Sequence, residues 1–205
     1  MAQITHGLRA ILSNPVVYSA LQSLMGAHQG RTSFAADFVK PVPGMTVLDV
    51  GCGPAEILDY LPAVDYWGFD ISEEYISHAA KKFPDRGRFF PKLLAMDDLA
   101  SMPKFDVVLA TGVLHHMDDE VAVEFLGLAH EALKPGGRLV TIDPCWVPGQ
   151  NPVARFLIAR DRGQNVRTEA GYQQLMTAVF SSVAVTVRHK SWIPYTHCFT
   201  ECTRT

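Results

Sequence analysis

The chain has 205 residues, of which 48% are hydrophobic and 19% are charged, so a sizeable core is possible and global disorder is excluded. Its length predicts one α/β domain with appended helices. The formal net charge of -3 does not indicate the excess of basic residues that binds nucleic acid or an acidic membrane surface. No apolar run is long enough to span a bilayer. We therefore expect neither a nucleic-acid partner nor a membrane partner.

The four cysteines show no disulfide framework and no metal-site spacing. Cys198 and Cys202 lack a matching second pair, so we expect no zinc and no other metal. Reduced thiols are the simpler account, and the N-terminus lacks the pattern of a signal peptide. Together these features predict a cytoplasmic protein.

Residues 1–44 are predicted to form a helical cover. Apolar residues recur at helical spacing after Pro15, and a second helix is predicted over Arg31–Val39. Helices that precede the first strand often cover a cofactor cleft, so Tyr18, His28 and Arg31 can face a ligand. Plain packing is the simpler alternative for these three side chains.

The segment Thr46–Leu58 reads TVLDVGCGPAEIL, a buried strand followed by a glycine-rich turn and a helix. This order is typical of nucleotide binding, because side chains in the turn would hold a ligand away from the backbone N–H groups. The third glycine of a dinucleotide fingerprint is missing, since Glu56 stands in its place. The Gly51-Cys52-Gly53 turn alone is therefore a weak signal.

Asp49 indicates which ligand the turn binds. It lies two residues before Gly51 at the carboxyl end of the strand, where a carboxylate repels a pyrophosphate and attracts a cation. S-adenosylmethionine carries an adenosine, no phosphate and a positive charge. The sequence therefore predicts S-adenosylmethionine as the cofactor, and a plain tight turn is the alternative.

Acidic residues follow the next two predicted strands. Asp70 ends the strand Val64–Phe69, where a carboxylate can accept both ribose hydroxyls; alternatively Asp70 or Ser72 caps the helix that comes next. After the third strand, an acid in Met96-Asp97-Asp98 is placed to accept the adenine amino group while Met96 packs on the ring. Asp97 and Asp98 cannot be separated from sequence, and both can simply be solvated loop acids.

The remaining elements alternate in the same way. A fourth strand, Phe105–Ala110, is apolar on both faces as a buried parallel strand should be, and Asp118 or Asp119 caps the following helix. A fifth strand is predicted over Arg138–Asp143. Residues 144–180 form an insertion with two helices, and residues 181–205 are predicted to close the chain as a β-hairpin.

Taken together, VLDVGCGPAEIL, GFDIS, MDDL, FDVVLATGVLHHM and LKPGGRLVTID resemble the class I S-adenosylmethionine-dependent methyltransferases, and more closely their small-molecule branch of type 11/12. The resemblance covers residues 45–143. It implies an α/β, Rossmann-like, doubly wound seven-stranded sheet with helices on both faces, mostly parallel with one antiparallel edge strand. It also implies one methyltransferase domain over residues 1–205 and a set of cofactor-binding residues: Asp49, Gly51, Cys52, Gly53, Asp70, Ile71, Met96, Asp97, Thr111 and Gly112.

Departures from the family pattern concern the methyl acceptor. Enzymes that methylate the exocyclic amine of a base carry Asn or Asp with Pro-Pro-Tyr after the fourth strand, where this chain has Ala110-Thr-Gly-Val. The double-glutamate hairpin of protein arginine methylation is also absent. The predicted partner is therefore a small-molecule acceptor.

The predicted catalytic residues are His115 and His116, where the fourth strand opens onto the cleft. Histidine is the usual base near neutral pH. In several small-molecule methyltransferases that this loop resembles, a loop residue acts as base or orients the acceptor, and His116 matches that position best. The alternative is that one of them packs or caps a helix. Five residues are predicted to bind the acceptor: Asp143, Arg162, Arg167, Tyr195 and His197.

The arginines of the segment 160–167 are predicted to form a lid over an anionic acceptor, because guanidinium groups suit carboxylate and phosphate. A solvated loop is the alternative. The predicted function is methyl transfer from S-adenosylmethionine to a small molecule. The rivals are a non-catalytic S-adenosylmethionine-binding module and an NAD-dependent dehydrogenase, and the choice between monomer and homodimer stays open.

Overall fold

A computed structural model describes residues 27–161, 163–190 and 195–205. The helix predicted after Pro15, and with it Tyr18, lies outside these residues, as does Arg162. The described ranges contain the whole of the segment 45–143, which carries the predicted cofactor site and both predicted catalytic histidines.

Eight strands are present in the described part of the chain, and seven of them form one continuous row. They are β1 (Thr46–Val50), β2 (Asp65–Phe69), β3 (Arg88–Phe90), β4 (Phe105–Thr111), β5 (Leu133–Trp146), β6 (Arg167–Thr168), β7 (Ser182–Lys190) and β8 (Tyr195–Thr203). The row has the order β3-β2-β1-β4-β5-β8-β7, and the two-residue β6 pairs with β5 outside it. The first five strands are mutually parallel, whereas β8 runs antiparallel to both of its neighbours.

The predicted Rossmann-like, mostly parallel sheet is confirmed, and the short β6 makes its strand count eight rather than the predicted seven. The predicted position of the reversed strand at the edge is wrong, because the reversed strand β8 lies between β5 and β7. It pairs with β5 from Arg138 to Pro144 on one side, and with β7 along its whole length on the other. The edge is β7, which runs in the same direction as β5.

Six α-helices of the described ranges flank the sheet: α1 (Ala27–Phe34), α2 (Glu73–Lys82), α3 (Met96–Leu99), α4 (Asp119–Ala132), α5 (Pro152–Ala159) and α6 (Glu169–Thr177). A π-helical turn, Ala35–Val39, extends α1. The caps are those that the sequence allows, since the Ser72 hydroxyl accepts from the Tyr75 N–H, and the Asp118 carboxylate accepts from the Val121 N–H. The predicted helix after the glycine turn is only a short 3₁₀ helix, Glu56–Tyr60, bounded by left-handed Ala55 and by Pro62.

The core lies on both faces of the sheet. Successive residues of a strand point to opposite faces, so Leu48 joins the cluster under α4 and α6, while Val47 joins the cluster under α1 and its π-helical turn. Because the chain moves outward from β1 through β2 and β3, and then back across to β4 and β5, the strand order reverses between β1 and β4. Ligands of open α/β sheets bind at the carboxyl ends of the strands at such a point.

The described part of the N-terminal cover packs against the glycine turn. Arg31 forms an ion pair with Glu56, and the His28 Nδ1 lies 2.9 Å from the Tyr60 hydroxyl. These contacts agree with the packing alternative for His28 and Arg31. Among the described helices, none combines the length and the apolar character that a membrane crossing requires.

Candidate functional site

The glycine turn at the end of β1 is tied to the end of β2. The carbonyl oxygen of Phe69 accepts from the N–H groups of Gly51 at 2.7 Å and of Cys52 at 3.0 Å. The third N–H of the turn, that of Gly53, donates to the Asp70 carboxylate at 2.9 Å. Three successive N–H groups are thus bonded within the protein, so the turn does not offer the set of free donors that binds a pyrophosphate.

Positive φ angles at Gly51 (74°) and Gly53 (54°) explain why glycine stands at both positions. A Cβ atom at Gly51 would also lie 2.5 Å from Val113 Cγ2, so the loops after β1 and β4 touch at this point. A Cβ at Gly53 would meet nothing within 4 Å. The turn is closed toward β4 at Gly51 and open to the cleft at Gly53.

Asp49 is almost fully buried beside Gly68 of β2. Its Oδ2 accepts from the Tyr66 hydroxyl at 2.7 Å, while its Oδ1 is buried without a hydrogen-bond partner among the described residues. Burial raises the pKa of Asp49 to about 7; the Tyr66 hydrogen bond lowers it and the charge of Asp70 raises it. A buried carboxylate with an unsatisfied oxygen is a strong attractor for a cation.

The Asp70 carboxylate links the glycine turn to the residues just before α2. Its Oδ2 accepts from Gly53, and its Oδ1 accepts from the Ser72 N–H at 2.8 Å. A carboxylate has about four acceptor positions, so Asp70 keeps capacity for hydroxyl donors. The helix cap is made by Ser72, so Asp70 is not needed for that role, and ribose binding by Asp70 stays a prediction.

Two exposed apolar side chains stand at the ends of β2 and β3. Ile71, which follows Asp70, is 52% exposed, and Met96, the first residue of α3, is 55% exposed, so both side chains offer apolar surface to a ligand. The two acidic residues that follow Met96 differ in their contacts. Asp98 accepts from the Ala95 N–H and pairs with Lys92, whereas no hydrogen bond or ion pair among the described residues engages Asp97. This difference favours Asp97 over Asp98 as the adenine acceptor.

The loop after β4 carries the predicted residues Thr111 and Gly112. Thr111 is exposed, and Gly112 has a φ of 69° and donates its N–H to the Ile142 carbonyl at 2.7 Å. A Cβ at Gly112 would lie 3.6 Å from His115 Cε1. The edge of the His115 ring therefore adjoins the loop that faces the glycine turn.

His115 is held between two carboxylates. Its Nδ1 lies 2.7 Å from Asp143 Oδ1 at the end of β5, and its Nε2 lies 3.1 Å from Asp161 Oδ1. Burial lowers the pKa of His115, but the hydrogen bonds with Asp143 and Asp161 outweigh burial and raise the pKa to about 9. Both ring nitrogens are bonded to carboxylates, which favours the protonated ring and disfavours proton acceptance by His115 in this arrangement. Its catalytic role stays a prediction.

The two carboxylates have different surroundings. Asp143 is buried, its Oδ2 has no hydrogen-bond partner among the described residues, and burial raises its pKa. Burial opposes ionisation of Asp161 as well, but hydrogen bonds from His115, the Gly163 N–H and the Tyr195 hydroxyl hold its pKa below the usual range. A continuous hydrogen-bonded chain thus runs from Asp143 through His115 and Asp161 to Tyr195.

The other predicted catalytic and acceptor residues lie beside this chain. The rings of His115 and His116 are 4.1 Å apart, and the rings of Tyr195 and His197 are 4.8 Å apart. His197 faces Pro144 across the β5–β8 pairing. Five of these other predicted residues are described. Asp143 bonds to His115 and the His116 ring lies beside it, while Tyr195 reaches it through Asp161 and His197 packs on Tyr195. Arg167 makes none of these contacts.

Arg167 has a structural role instead of the predicted role in acceptor binding. Its guanidinium donates to the carbonyls of Leu114, Met117 and Asn165, and twice to the Asp119 carboxylate. All five N–H donors are used within the protein, so none is left for an anionic acceptor. The side chain instead fastens the segment around residue 165 to the 3₁₀ turn Leu114–His116.

We expect Arg167→Met to lower the free energy of unfolding by about 2–3 kcal/mol, because several buried carbonyls would lose charged donors. The measurement is thermal and urea unfolding beside Arg88→Met, which removes an exposed pair with Asp65 and should cost about 1 kcal/mol or less. S-adenosylmethionine affinity should not change in either variant. Unchanged stability with a strongly raised acceptor KM would restore the lid hypothesis for Arg167.

The sequence does not predict two further residues of the site, Asp161 and Tyr66. Asp161 lies in a charged segment that reads equally well as a solvated loop, and Tyr66 reads as an ordinary strand residue. Their roles come from contacts with His115 and Asp49, which are distant in sequence. The only signal for Asp161 was its place beside arginines in an insertion next to the predicted acceptor side.

Comparison with known proteins agrees with this geometry. A family model described as a methyltransferase domain matches residues 48–139, which include the glycine turn, Asp70 and both histidines. The match covers 92 of the 205 residues and agrees with the predicted resemblance to the class I S-adenosylmethionine-dependent methyltransferases. The predicted family is thereby confirmed.

Curated relatives and solved structures extend the similarity beyond this methyltransferase domain. Desmethylxanthohumol 6'-O-methyltransferase of Humulus lupulus is 27% identical over 188 residues, which are 84% of this chain and 51% of that protein. Aklanonic acid methyltransferase DauC of Streptomyces sp. (strain C5) is 31% identical over 126 residues, 57% of this chain and 56% of that protein. The chain thus spans about half the length of these curated relatives.

Among solved structures, the apo form of the S-adenosylmethionine-dependent methyltransferase SibL has a TM-score of 0.71 at 19% identity. The similarity covers 95% of this chain and 60% of SibL. At this identity the likeness concerns the fold.

Proposed function

We propose that the chain binds S-adenosylmethionine at the carboxyl ends of β1 to β4 and transfers its methyl group to a small-molecule acceptor. The observation that carries the proposal is the chemistry of the glycine turn. Its N–H groups are already bonded, and the side chains around it are the carboxylates Asp49 and Asp70. Such a site favours a cationic ligand with hydroxyl groups over a phosphorylated one.

The residues present fit this cofactor. Asp49 would attract the positive charge of the methionine part, and Asp70 would accept hydrogen bonds from the ribose. The exposed side chains of Ile71 and Met96 would pack on the adenine, with Asp97 accepting from its amino group. When bound, the cofactor supplies an activated methyl group, so the protein has to align the acceptor and exclude water.

The same observation disfavours an NAD-dependent dehydrogenase. A pyrophosphate needs free N–H donors at the turn, and here it would meet three bonded donors and the two carboxylates. The strand-to-helix turn also leads into a five-residue 3₁₀ helix, which has little dipole to offer a phosphate.

The acceptor is proposed to be a small molecule methylated on oxygen. One curated relative is named as a 6'-O-methyltransferase and the other for an acid, and both names describe small substrates. An anionic acceptor remains a prediction. Arg167 does not support it, and Arg162 lies outside the described residues.

The test is calorimetric titration with S-adenosylmethionine, S-adenosylhomocysteine and NAD. We expect micromolar binding of the first two and none of NAD. Asp70→Asn should weaken binding about tenfold, because an amide replaces a charged acceptor of ribose hydroxyls. Asp85→Asn, in the exposed turn after α2, is the matched control and should bind as the wild type does.

Binding of NAD alone would overturn the proposal. Binding of S-adenosylmethionine without turnover on a broad panel of phenols, hydroxy acids and carboxylic acids would favour the non-catalytic binding module. The titration and the turnover assay thus separate the cofactor part of the proposal from the acceptor part.

A further inference from the structure

A cluster of metal-ligating side chains lies on the acceptor side of the cleft. One ligand atom each of His115, His116 and Asp161 can be chosen so that the three atoms lie within 4.8 Å of one another. One pair is already near the spacing of neighbouring ligands, since His115 Nε2 is 3.1 Å from Asp161 Oδ1. Bonds of about 2.1 Å to a tetrahedral ion place neighbouring ligand atoms about 3.4 Å apart.

The residues behind these ligands form a second layer that is typical of metal sites. The Nδ1 of His115 is bonded to the buried carboxylate of Asp143 at 2.7 Å, which directs Nε2 toward Asp161. Metal-bound histidines usually donate their other ring N–H to a carboxylate in this way. The second oxygen of Asp161 accepts from the Tyr195 hydroxyl at 2.8 Å, so this ligand is also oriented.

We propose that His115, His116 and Asp161 bind a divalent transition-metal ion, of which Zn²⁺ is the best match. Two imidazole nitrogens and one carboxylate oxygen suit Zn²⁺, whereas Mg²⁺ prefers an all-oxygen set. Three protein ligands leave a fourth position for water or for a substrate oxygen. This proposal replaces the sequence-based expectation that the chain binds no metal.

The placement of the site connects it to methyl transfer, and this part rests on the proposed function. The His115 ring edge adjoins Gly112, at the loop that touches the glycine turn. An acceptor hydroxyl at the open position of the ion would lose its proton to solvent more readily, since a Lewis acid stabilises the resulting oxyanion. The oxyanion would then form a bond to the methyl carbon as the S–C bond of the sulfonium breaks, leaving S-adenosylhomocysteine. The two histidines that the sequence predicts as bases would then act as ligands.

The charges of the cluster also favour a cation. Asp143 and Asp161 both contact His115, and Asp143 retains a buried oxygen without a hydrogen-bond partner among the described residues. The cluster supplies three ligands rather than four, so we expect micromolar rather than nanomolar affinity.

The test is titration of chelator-treated protein with Co²⁺, followed by competition with Zn²⁺. We expect one ion per chain, visible d–d absorption of a tetrahedral or five-coordinate site, and displacement by Zn²⁺ but not by Mg²⁺. Asp161→Ala should abolish binding, and Asp143→Asn should weaken it about 10–100-fold through the loss of ligand orientation. His130→Gln, in the last turn of α4 and outside the cluster, is the control and should bind as the wild type does.

Three results would overturn the proposal: no stoichiometric binding below about 100 µM, equal binding by the wild type and Asp161→Ala, or intense thiolate charge-transfer bands that indicate cysteine ligands. Asp143→Asn serves if Asp161→Ala does not fold, as judged by circular dichroism. S-adenosylhomocysteine binding, measured with and without the ion, shows independently whether the proposed function holds. Loss of metal binding alone would leave that function intact.

Discussion

Replacing Asp49 with asparagine is expected to stabilise the fold at pH 8 and, at the same time, to weaken the binding of S-adenosylmethionine. The carboxylate is buried. One of its oxygens accepts a hydrogen bond from the Tyr66 hydroxyl, and the other has no hydrogen-bond partner among the described residues. Its pKa is raised from 3.8 to about 7. Keeping it ionised therefore costs free energy that an uncharged amide does not. At about 1.4 kcal/mol per pKa unit, the gain reaches at most about 4 kcal/mol.

The pH dependence has a definite sign. When folding raises the pKa of a carboxyl, the group stabilises the folded state fully at pH values below its pKa in the unfolded chain. This stabilisation is lost as the pH rises through its pKa in the folded protein. From pH 4 to pH 8 the wild type should therefore lose stability through Asp49, whereas Asp49→Asn should not. The difference in Tm between the two should grow across this range and level off above pH 7.

Cofactor binding should change in the opposite direction. A cationic ligand favours the ionised form of Asp49, so in the wild type its affinity should fall below pH 7, and binding near pH 7 should release a proton from Asp49. In Asp49→Asn this contribution to the pH dependence should vanish, and affinity at pH 8 should be lower than in the wild type. Calorimetry in two buffers of different protonation enthalpy measures the proton count directly.

Asp106→Asn is the matched control. Burial opposes its ionisation, but hydrogen bonds from Lys134 and Thr46 prevail and lower its pKa, so the same substitution should reduce stability at pH 8. A destabilised Asp49→Asn with unchanged cofactor affinity would mean that Asp49 has only a structural role. Tyr66→Phe offers a second check, since loss of its hydrogen bond should shift the affinity profile to higher pH.

The cofactor half of the cleft was predictable because its chemistry lies in short, local patterns. The turn after β1 needs glycines at positive φ, and Asp70 is one strand further along at the same edge, so strand order and spacing bring them together. The caps at Ser72 and Asp118 are also local and were predicted by residue type. Only the choice between Asp97 and Asp98 needed side-chain contacts.

The acceptor half was less predictable because its contacts join remote segments. Arg167 contacts the carbonyls of residues 114 and 117 because the insertion of residues 144–180 packs against the loop after β4. No local sequence pattern predicts that packing. The protonation of His115 depends on Asp161, which lies 46 residues further along the chain. The position of β8 has the same origin, since alternation predicts a hairpin but not which of its strands joins β5.

The two halves differ in how tightly the described residues close them. The cofactor side is open at Gly53 and exposes Ile71 and Met96. On the acceptor side, Asp161 and residues 163–167 are fastened to the loop after β4. Asn165 donates its N–H to the His115 carbonyl at 2.9 Å, and the buried Gly163 packs directly on the His115 ring. Disturbing this contact should therefore affect acceptor chemistry and leave the cofactor site intact.

Gly163→Ala is expected to lower methyl transfer at least 100-fold with little change in S-adenosylmethionine affinity. A Cβ at this position would overlap His115 Cδ2, and it would lie only 2.6 Å from the His115 carbonyl oxygen and 2.8 Å from Cγ. The backbone of His115 cannot give way without disrupting its bonds to Asp143, so the segment itself must move. Asp161 would then leave Nε2, and an overpacked contact of this kind costs about 1–3 kcal/mol of stability.

Gly127→Ala is the matched control, because its Cβ would meet nothing within 4 Å inside α4. That variant should keep full activity and gain up to about 1 kcal/mol, as alanine favours a helix over glycine. The measurements are the Tm, calorimetric affinity for S-adenosylhomocysteine, and single-turnover methyl transfer. If Gly163→Ala loses cofactor affinity as strongly as activity, the two halves of the cleft are coupled. If it loses neither, the packing of Gly163 on His115 does not control the acceptor site.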